Sequence, residues 1–402
     1  MATATAIVDR EALRTRFHAI RNFTESLAAP LGPEDQVVQS MPDVSPTKWH
    51  RGHTTWFFET FLLQPSLDGY QPYHPAFVYL FNSYYEAVGP RHPRPLRGLL
   101  SRPTVEEVAR YRAHVDVMMD DLISRCADAI WPDVCALIEL GLHHEQQHQE
   151  LLLMDIKHVL SCNPLEPAYA PNADEPVTAP ALRWHDVDGG FATIGHGDTT
   201  FCFDNETPQH TVLVEGFSIA NRLVTASEWI DFIADGGYTR SELWLSDGWY
   251  AVQEHGWNAP LYWDDHDGDW TAFTLQGRRP LHPGEPVVHV SHYEADAFAR
   301  WSGARLPTEF EWEHAVSTVP SLAQISGEAW QWTSSAYLPY PRFAPAAGAV
   351  GEYNGKFMSG QMVLRGGARI TSPDHVRPTY RNFFPPGSRW MYGGVRLARD
   401  AS

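Results

Sequence analysis

Along the first 160 residues, apolar positions recur at three- and four-residue steps, the period of a helix that buries one face. In "REALRTRFHAIRNFTESLAAPL" the residues Leu13, Phe17, Ile20, Phe23 and Leu27 form such a stripe. A second helix is predicted after Pro46, carrying "TKWHRGHTTWFFETFLL". "TVEEVARYRAHVDVMMDDLISRC" opens on Thr104 with Glu107 three residues on, which is capping-box spacing, and sets Val108, Val115 and Leu122 along one side. Pro132 suits the first turn of a fourth helix that runs to about Leu160. Four such helices predict a bundle.

The pattern then changes. "NPLEPAYAPNADEPVTAPA" is rich in proline and alanine, has no period, and reads as a linker over 166–181 between a domain at 1–165 and another at 182–402. Beyond it come short strand-like pieces, "HTVLVEGFSIA" and "PVVHVS", among many Gly, Pro, Asp and Trp residues. Two helices stand out there, "TASEWIDFIADGG" and "SHYEADAFARWSG". The fold class expected is multidomain, α followed by irregular α+β with long loops, and 402 residues suit roughly two domains of about 150 residues each.

Charge narrows the partners. The formal charge is −19, from 30 Lys+Arg against 49 Asp+Glu, which argues against nucleic acid or an anionic membrane surface, since either needs a basic face. The first residues lack the basic and apolar regions of a secretory signal, and no apolar run reaches the length of a membrane span. Cys126, Cys135, Cys162 and Cys202 form no CxxC pair, which fits a reducing compartment. The expectation is a soluble cytoplasmic protein acting on small molecules.

"GLHHEQQHQELLLMD", residues 141–155, packs His143, His144 and His148 ahead of an apolar run. On a helix His144 and His148 stand about 6 Å apart along the axis, so both imidazoles can reach one ion, whereas His143 points elsewhere. A single histidine pair on a helix is more often solvated or hydrogen-bonded than metal-bound. The same residues spell "HEQQH", the HExxH pattern of zinc peptidases with Glu145 as base. "KWHRGHTTWFFE" adds His50 and His53 on another helix, with His53 on a face shared by Trp49, Trp56 and Thr60. It is either a satisfied core residue or a third ligand. Three histidines from two helices of one bundle would leave coordination positions open to substrate or oxygen.

Arg91, Arg94, Arg97 and Arg102 crowd into "FNSYYEAVGPRHPRPLRGLLSRP" of an otherwise acidic chain. Guanidinium forks bind carboxylates bidentately, so the functional reading is a carboxylate-bearing substrate and the plain one a set of surface salt bridges. Tyr84 and Tyr85 just upstream can donate a proton or hydrogen bond near a metal, or are core tyrosines. In "RPTYRNFFPPGSRWMYGGVRLARD", Asn382, Phe383 and Phe384 precede two prolines. Adjacent rings on a rigid loop can wall a quaternary ammonium group and the amide can fix a polar ring or carboxylate, unless all three simply pack.

Together these motifs resemble the ergothioneine-biosynthesis sulfoxide synthases (EgtB-like), which join a DinB-like four-helix bundle to a formylglycine-generating-enzyme-like domain. The bundle is similar through "WHRGHTTWFFE" and "HHEQQHQE". The second domain is similar through "PVVHVSHYEADAFARWSGARLPTEFEWEHA", "GEAWQWTSSAY", "VLRGG" and "YRNFFPPGSRWMYGGVRLAR". Formylglycine chemistry needs a cysteine pair near the end, and no cysteine follows Cys202, so the second domain is expected to be a binding scaffold of C-type-lectin-like topology. The resemblance implies mononuclear nonheme Fe(II) on His53, His144 and His148, with O2 as co-substrate. It implies coupling of a thiol to the imidazole C2 of hercynine, which is trimethylated histidine, to give a sulfoxide. In the same way it implies that Tyr84 or Tyr85 donates a proton or hydrogen bond beside the iron. Arg94 and Arg97, with Arg91, are implied to take the thiol substrate's carboxylate. Gln147, Asn382, Phe383 and Phe384 are implied to hold hercynine, the rings facing its trimethylammonium group. In the branch this chain resembles, the thiol is free cysteine.

Motifs at the iron do not separate this reading from selenoneine synthases, which use a selenosugar, or ovothiol synthases, which attach sulfur at another imidazole carbon. Further off stand a zinc peptidase built on "HEQQH", with Glu145 beside the attacking water, and a non-enzymatic module in which the lectin-like half binds ligand and the bundle is scaffold.

Overall fold

Helix α1 (Arg10–Ala28) begins where the Asp9 side chain accepts a hydrogen bond from the Glu11 N–H, satisfying one of the donors left open at a helix start. This is a computed structural model, and it describes residues 9–170, 179–352, 354–372 and 374–401. The central part of the expected linker, residues 171–178, lies outside the described residues. The buried stripe of α1 starts as the sequence predicts, with Leu13, Phe17 and Ile20, and then departs from it. Arg21, Thr24 and Ala28 take the inward positions, and Phe23 is 48% exposed. The reason is polar: Arg21 and Thr24 both reach the buried carboxylate of Glu145.

Pro46 opens α2 (Thr47–Phe58), in which every residue is buried. The chain continues as one π-helical turn, Glu59–Leu63, before leaving the bundle. Helix α3 (Val105–Arg125) carries the predicted capping box, with Thr104 and Glu107 each bonding the other's backbone N–H. Helix α4 (Trp131–Ser161) has Pro132 in its first turn, where the missing N–H costs nothing. Helix α2 packs against both α3 and α4, and α1 against the same two, which closes a four-helix bundle. A Cβ on Gly141 would meet the Phe58 ring at 2.7 Å, so α4 approaches α2 this closely only because that position is glycine.

The chain forms two compact units. The first holds the described residues up to Tyr169 together with Thr199–Phe201 and the described part of Ala347–Tyr353, and the rest belongs to the second. The second unit contains a three-stranded sheet ordered β1 (Trp184–Val187), β4 (Phe217–Ala220), β12 (Ala398–Asp400). It also has a four-stranded sheet ordered β10 (Asn382–Phe384), β9 (Met362–Arg365), β8 (Trp330–Ala336), β11 (Gly393–Gly394), in which only β11 with β8 is parallel. The ribbon β2 (Gly190–Ile194) with β3 (His210–Val214) and the meander β5 (Trp263–His266), β6 (Asp269–Thr274), β7 (Gly277–Pro280) complete it. "HTVLVEGFSIA" is indeed β3 and β4, but "PVVHVS" is not a strand. His289 there adopts a left-handed backbone (φ +66°), which breaks the alternation a strand needs. The described residues of the second unit hold four helices of eight residues or more, not the two expected: α5 (Ala226–Ala234), α6 (Ser246–His255), α7 (His292–Trp301) and α8 (Glu309–Thr318). Helices α5, α7 and α8 each start on a capping box. Among the described residues no helix is long and apolar enough to cross a membrane.

Candidate metal centre

The short helix Phe77–Phe81 ends in an extended Asn82, leaving its last carbonyls without helical partners. Two side chains of α2 use them: Trp49 Nε1 donates to Leu80 O at 3.0 Å and His53 Nδ1 lies 2.6 Å from Phe81 O. A carbonyl only accepts, so Nδ1 of His53 carries the hydrogen and Nε2 the lone pair. That Nε2 is buried and has no hydrogen-bond partner among the described residues.

Spacing along α2 builds a column of flat groups around this ligand. Trp49, His53 and Trp56 share one face, and the His53 ring is stacked between the two indoles, 4.7 Å from Trp49 and 5.4 Å from Trp56, at 13° and 15°. The Arg97 guanidinium lies over the Trp49 ring, 3.3 Å from its centroid, and the Tyr85 ring is tilted against Trp56 with centroids 5.5 Å apart. Across from the column, α4 presents His144 and His148 one turn apart. The three rings are mutual neighbours, with centroids 4.6 to 5.0 Å apart, and one nitrogen of each lies within 4.8 Å of the others. His148 Nδ1 is 2.9 Å from His50 Nδ1, and His50 Nε2 is 3.0 Å from Asp155 Oδ2.

Burial keeps all three histidines neutral. It pushes His144 down to about 3, and it is the first cause of the strong lowering at His53 and His148, reinforced in both by the other ring cations that would result. Neutral imidazoles with converging lone pairs are what a borderline divalent cation binds, and His53 Nε2 is a buried acceptor that such an ion would satisfy. The donor set therefore fits a transition metal.

Glu145, the base of the HExxH reading, faces the other way. Its carboxylate is fully buried and held by Arg21 at 2.9 Å, Arg112 at 2.8 Å and the Thr24 hydroxyl at 2.6 Å. Burial alone would raise its pKa, but the two guanidiniums and the hydrogen bonds bring it down to about 2. A carboxylate this committed takes no proton from water, so the zinc-peptidase reading fails. His143 also turns away, accepting from Arg16 Nη2 at 2.9 Å.

The arginines divide sharply. Arg91 is an exposed ion-pair partner of Glu86, and the exposed Arg94 donates to the Asp43 carbonyl. Arg97 is buried, donates to Ser45 Oγ at 2.9 Å and Ser83 Oγ at 3.3 Å, and pairs with no carboxylate among the described residues. Its Nε has no partner there either. Burial, then the cation of Arg94, holds its pKa well below the usual arginine range, with Asp155 opposing. Arginine stays charged at neutral pH, so the lowering measures an uncompensated cation. Tyr85 is buried in the aromatic column, Tyr84 half-buried with its ring 4.9 Å away, and Gln147 half-buried on α4. Asn382, Phe383 and Phe384 form β10 in the second unit, where Phe383 stacks on Tyr337 at 4.1 Å and Phe384 meets Trp390 edge-on at 5.6 Å.

Known proteins place this arrangement in a family. Residues 16–152 match the DinB superfamily, and residues 175–321 and 318–401 match the Sulfatase-modifying factor enzyme 1-like domain. The chain is 31% identical to a hercynine oxygenase of Mycolicibacterium thermoresistibile over 89% of its own length and 88% of that protein. It is 30% identical to the hercynine oxygenase of Mycobacterium tuberculosis over 89% and 92%. The hercynine oxygenase of Mycolicibacterium smegmatis is 34% identical over 65% of this chain and 71% of its own. The chain belongs to the hercynine oxygenase family. It is accordingly an oxygen-dependent oxidoreductase, with an N-terminal DinB-like helical region and a C-terminal sulfatase-modifying-factor domain.

Sequence reasoning left His50, Asp155 and Ser45 without a role, although their spacing carried a signal. Asp155 is seven residues beyond His148 and so on its face, and His50 is three residues before His53. Arg21 and Arg112 were invisible because nothing in a helical stripe says that a buried carboxylate waits opposite.

Proposed function

We propose that this chain is a nonheme Fe(II)- and O2-dependent sulfoxide synthase that couples the imidazole C2 of hercynine to the sulfur of cysteine, giving hercynylcysteine sulfoxide. The observation that carries the reading is the convergence of His53, His144 and His148, three buried neutral imidazoles from two helices. Iron held there would supply one-electron chemistry with O2, which accepts four electrons, two from replacing the C–H and S–H bonds by C–S and two from the sulfur lone pair, and ends with one oxygen on sulfur and one in water. The chain's own residues then bind and orient. Arg97, a buried cation without an acid partner among the described residues, takes the carboxylate of the amino-acid thiol, with Arg94 and Arg91 nearer the surface. Tyr84 or Tyr85 is the proton or hydrogen-bond donor. Gln147, Asn382, Phe383 and Phe384 hold hercynine, the aromatic rings facing its trimethylammonium group. Domain limits at 1–165 and 182–402 follow from the same reading. A cytoplasmic setting accords with four cysteines that are all free thiols.

Anaerobic loading with Fe(II), followed by O2 with hercynine and, in parallel, cysteine, γ-glutamylcysteine or a selenosugar, tests the proposal by product mass. The cysteine sulfoxide is expected as the main product. A selenosugar adduct instead would make the chain a selenoneine synthase, and no O2-dependent hercynine product with any donor would end the proposal.

A further inference from the structure

We infer that His50 and Asp155 are positioning residues of the metal centre, fixing which nitrogen of His148 faces the ion. The inference rests on reading His53, His144 and His148 as the ligand set.

The argument follows the hydrogens. Asp155 is buried, and its Oδ2 accepts from the Ser45 backbone N–H at 2.8 Å and lies 3.0 Å from His50 Nε2. A carboxylate has no hydrogen to give, so His50 Nε2 carries one and donates. With His50 neutral that is its only ring hydrogen, which leaves a lone pair on its Nδ1. His148 Nδ1, 2.9 Å away, must then be the donor to it, and the His148 lone pair is left on Nε2. Run in reverse, the chain would put a hydrogen on His148 Nε2 and remove it as a ligand. His53 reaches the same state by a different route, through the Phe81 carbonyl. Metal-bound histidines are commonly oriented by a carboxylate or carbonyl on their other nitrogen, and here a second histidine is inserted between ligand and carboxylate.

His50 is 2% exposed, His148 8% and Asp155 2%, so water does not compete for these bonds. Ser45, whose N–H anchors Asp155, also accepts from Arg97 through its hydroxyl at 2.9 Å. One residue therefore supports both the relay to His148 and the buried cation.

The test is Co(II) binding by the full chain without substrates, followed by titration and by the ligand-field spectrum. Wild type should bind one Co(II), and His148→Ala should abolish it; failure of either would overturn the ligand set itself. His50→Phe keeps a ring of similar size without its nitrogens and should weaken binding about 10- to 100-fold with altered ligand-field bands. His50→Gln, whose amide both accepts and donates, should stay within a few-fold of wild type. Wild-type affinity and spectrum in His50→Phe would overturn the relay while leaving the ligand set intact. Should His50→Phe fail to melt cooperatively, Asp155→Ala takes its place: weakened binding is expected, and unchanged binding overturns the inference.

Discussion

Glu145 and His144 are neighbours on α4, both polar and both buried, and the bundle treats them in opposite ways. The carboxylate is compensated three times over, by Arg21, Arg112 and Thr24, so that its charge is locked into holding α1, α3 and α4 together. The imidazole is kept neutral instead, and its nitrogens meet those of His53 and His148. A buried charge held by several partners stabilises a fold by fixing geometry, and losing one partner is costly. Buried lone pairs that converge are useful only to a cation. The same contrast separates Arg112, paired with Glu25 and Glu145, from Arg97, which has no acid partner among the described residues.

Four experiments break or sharpen that contrast. The largest effect is expected on the histidine side: His53→Ala, His144→Ala or His148→Ala should each lose bound iron and O2-dependent product to background while the metal-free protein still melts cooperatively. Retained iron in all three would remove the contrast altogether. Next, Glu145→Ala takes the fully buried carboxylate from two guanidiniums, leaving Arg21 with Asp116 and Arg112 with Glu25, and should cost about 3 kcal/mol in urea unfolding, with the metal-binding nitrogens untouched. A smaller effect separates the arginines. Arg97→Met should raise the KM for the thiol about 10- to 100-fold, as loss of a charge-assisted contact predicts, yet leave stability unchanged or higher. Arg112→Met should instead destabilise the fold.

The smallest effect concerns His292 of the second unit, buried like the metal ligands but outside their cluster. Burial lowers it to about 4, with Asp296 opposing. Above pH 6.5 it is neutral folded and unfolded and contributes nothing. As pH falls from 6.5 toward 4 only the unfolded chain takes up its proton, so stability declines by up to about 1.4 kcal/mol per pH unit. His292→Gln should flatten the unfolding free energy over that window; an unchanged slope would assign the acid sensitivity to other groups.

Much of this contrast can be read from the sequence, and the missing part has one cause. Helical periodicity is local, so the bundle helices, the capping box at Thr104 and the shared face of His144 and His148 all follow from spacing. The pairing of α2 with α4 is not local, yet histidines on two helices of one bundle narrow it enough to nominate His53. Partner identity inside the core is set by three-dimensional packing. That is why Phe23 was expected inside and is exposed, and why Glu145 resembled a peptidase base until its two arginines came into view. In the second unit the left-handed His289 ended a strand that alternation alone predicted, whereas α8 was missed although Thr308 and Glu311 announce it.

The central claim is that the three imidazoles, and not the neighbouring carboxylate, hold the ion. Anomalous scattering at the iron edge from crystals grown anaerobically with Fe(II) tests it most directly. The account predicts one peak per chain within bonding distance of His53 Nε2, His144 and His148 Nε2, and none at Glu145. A peak elsewhere, or an ion bound through Glu145, would contradict it.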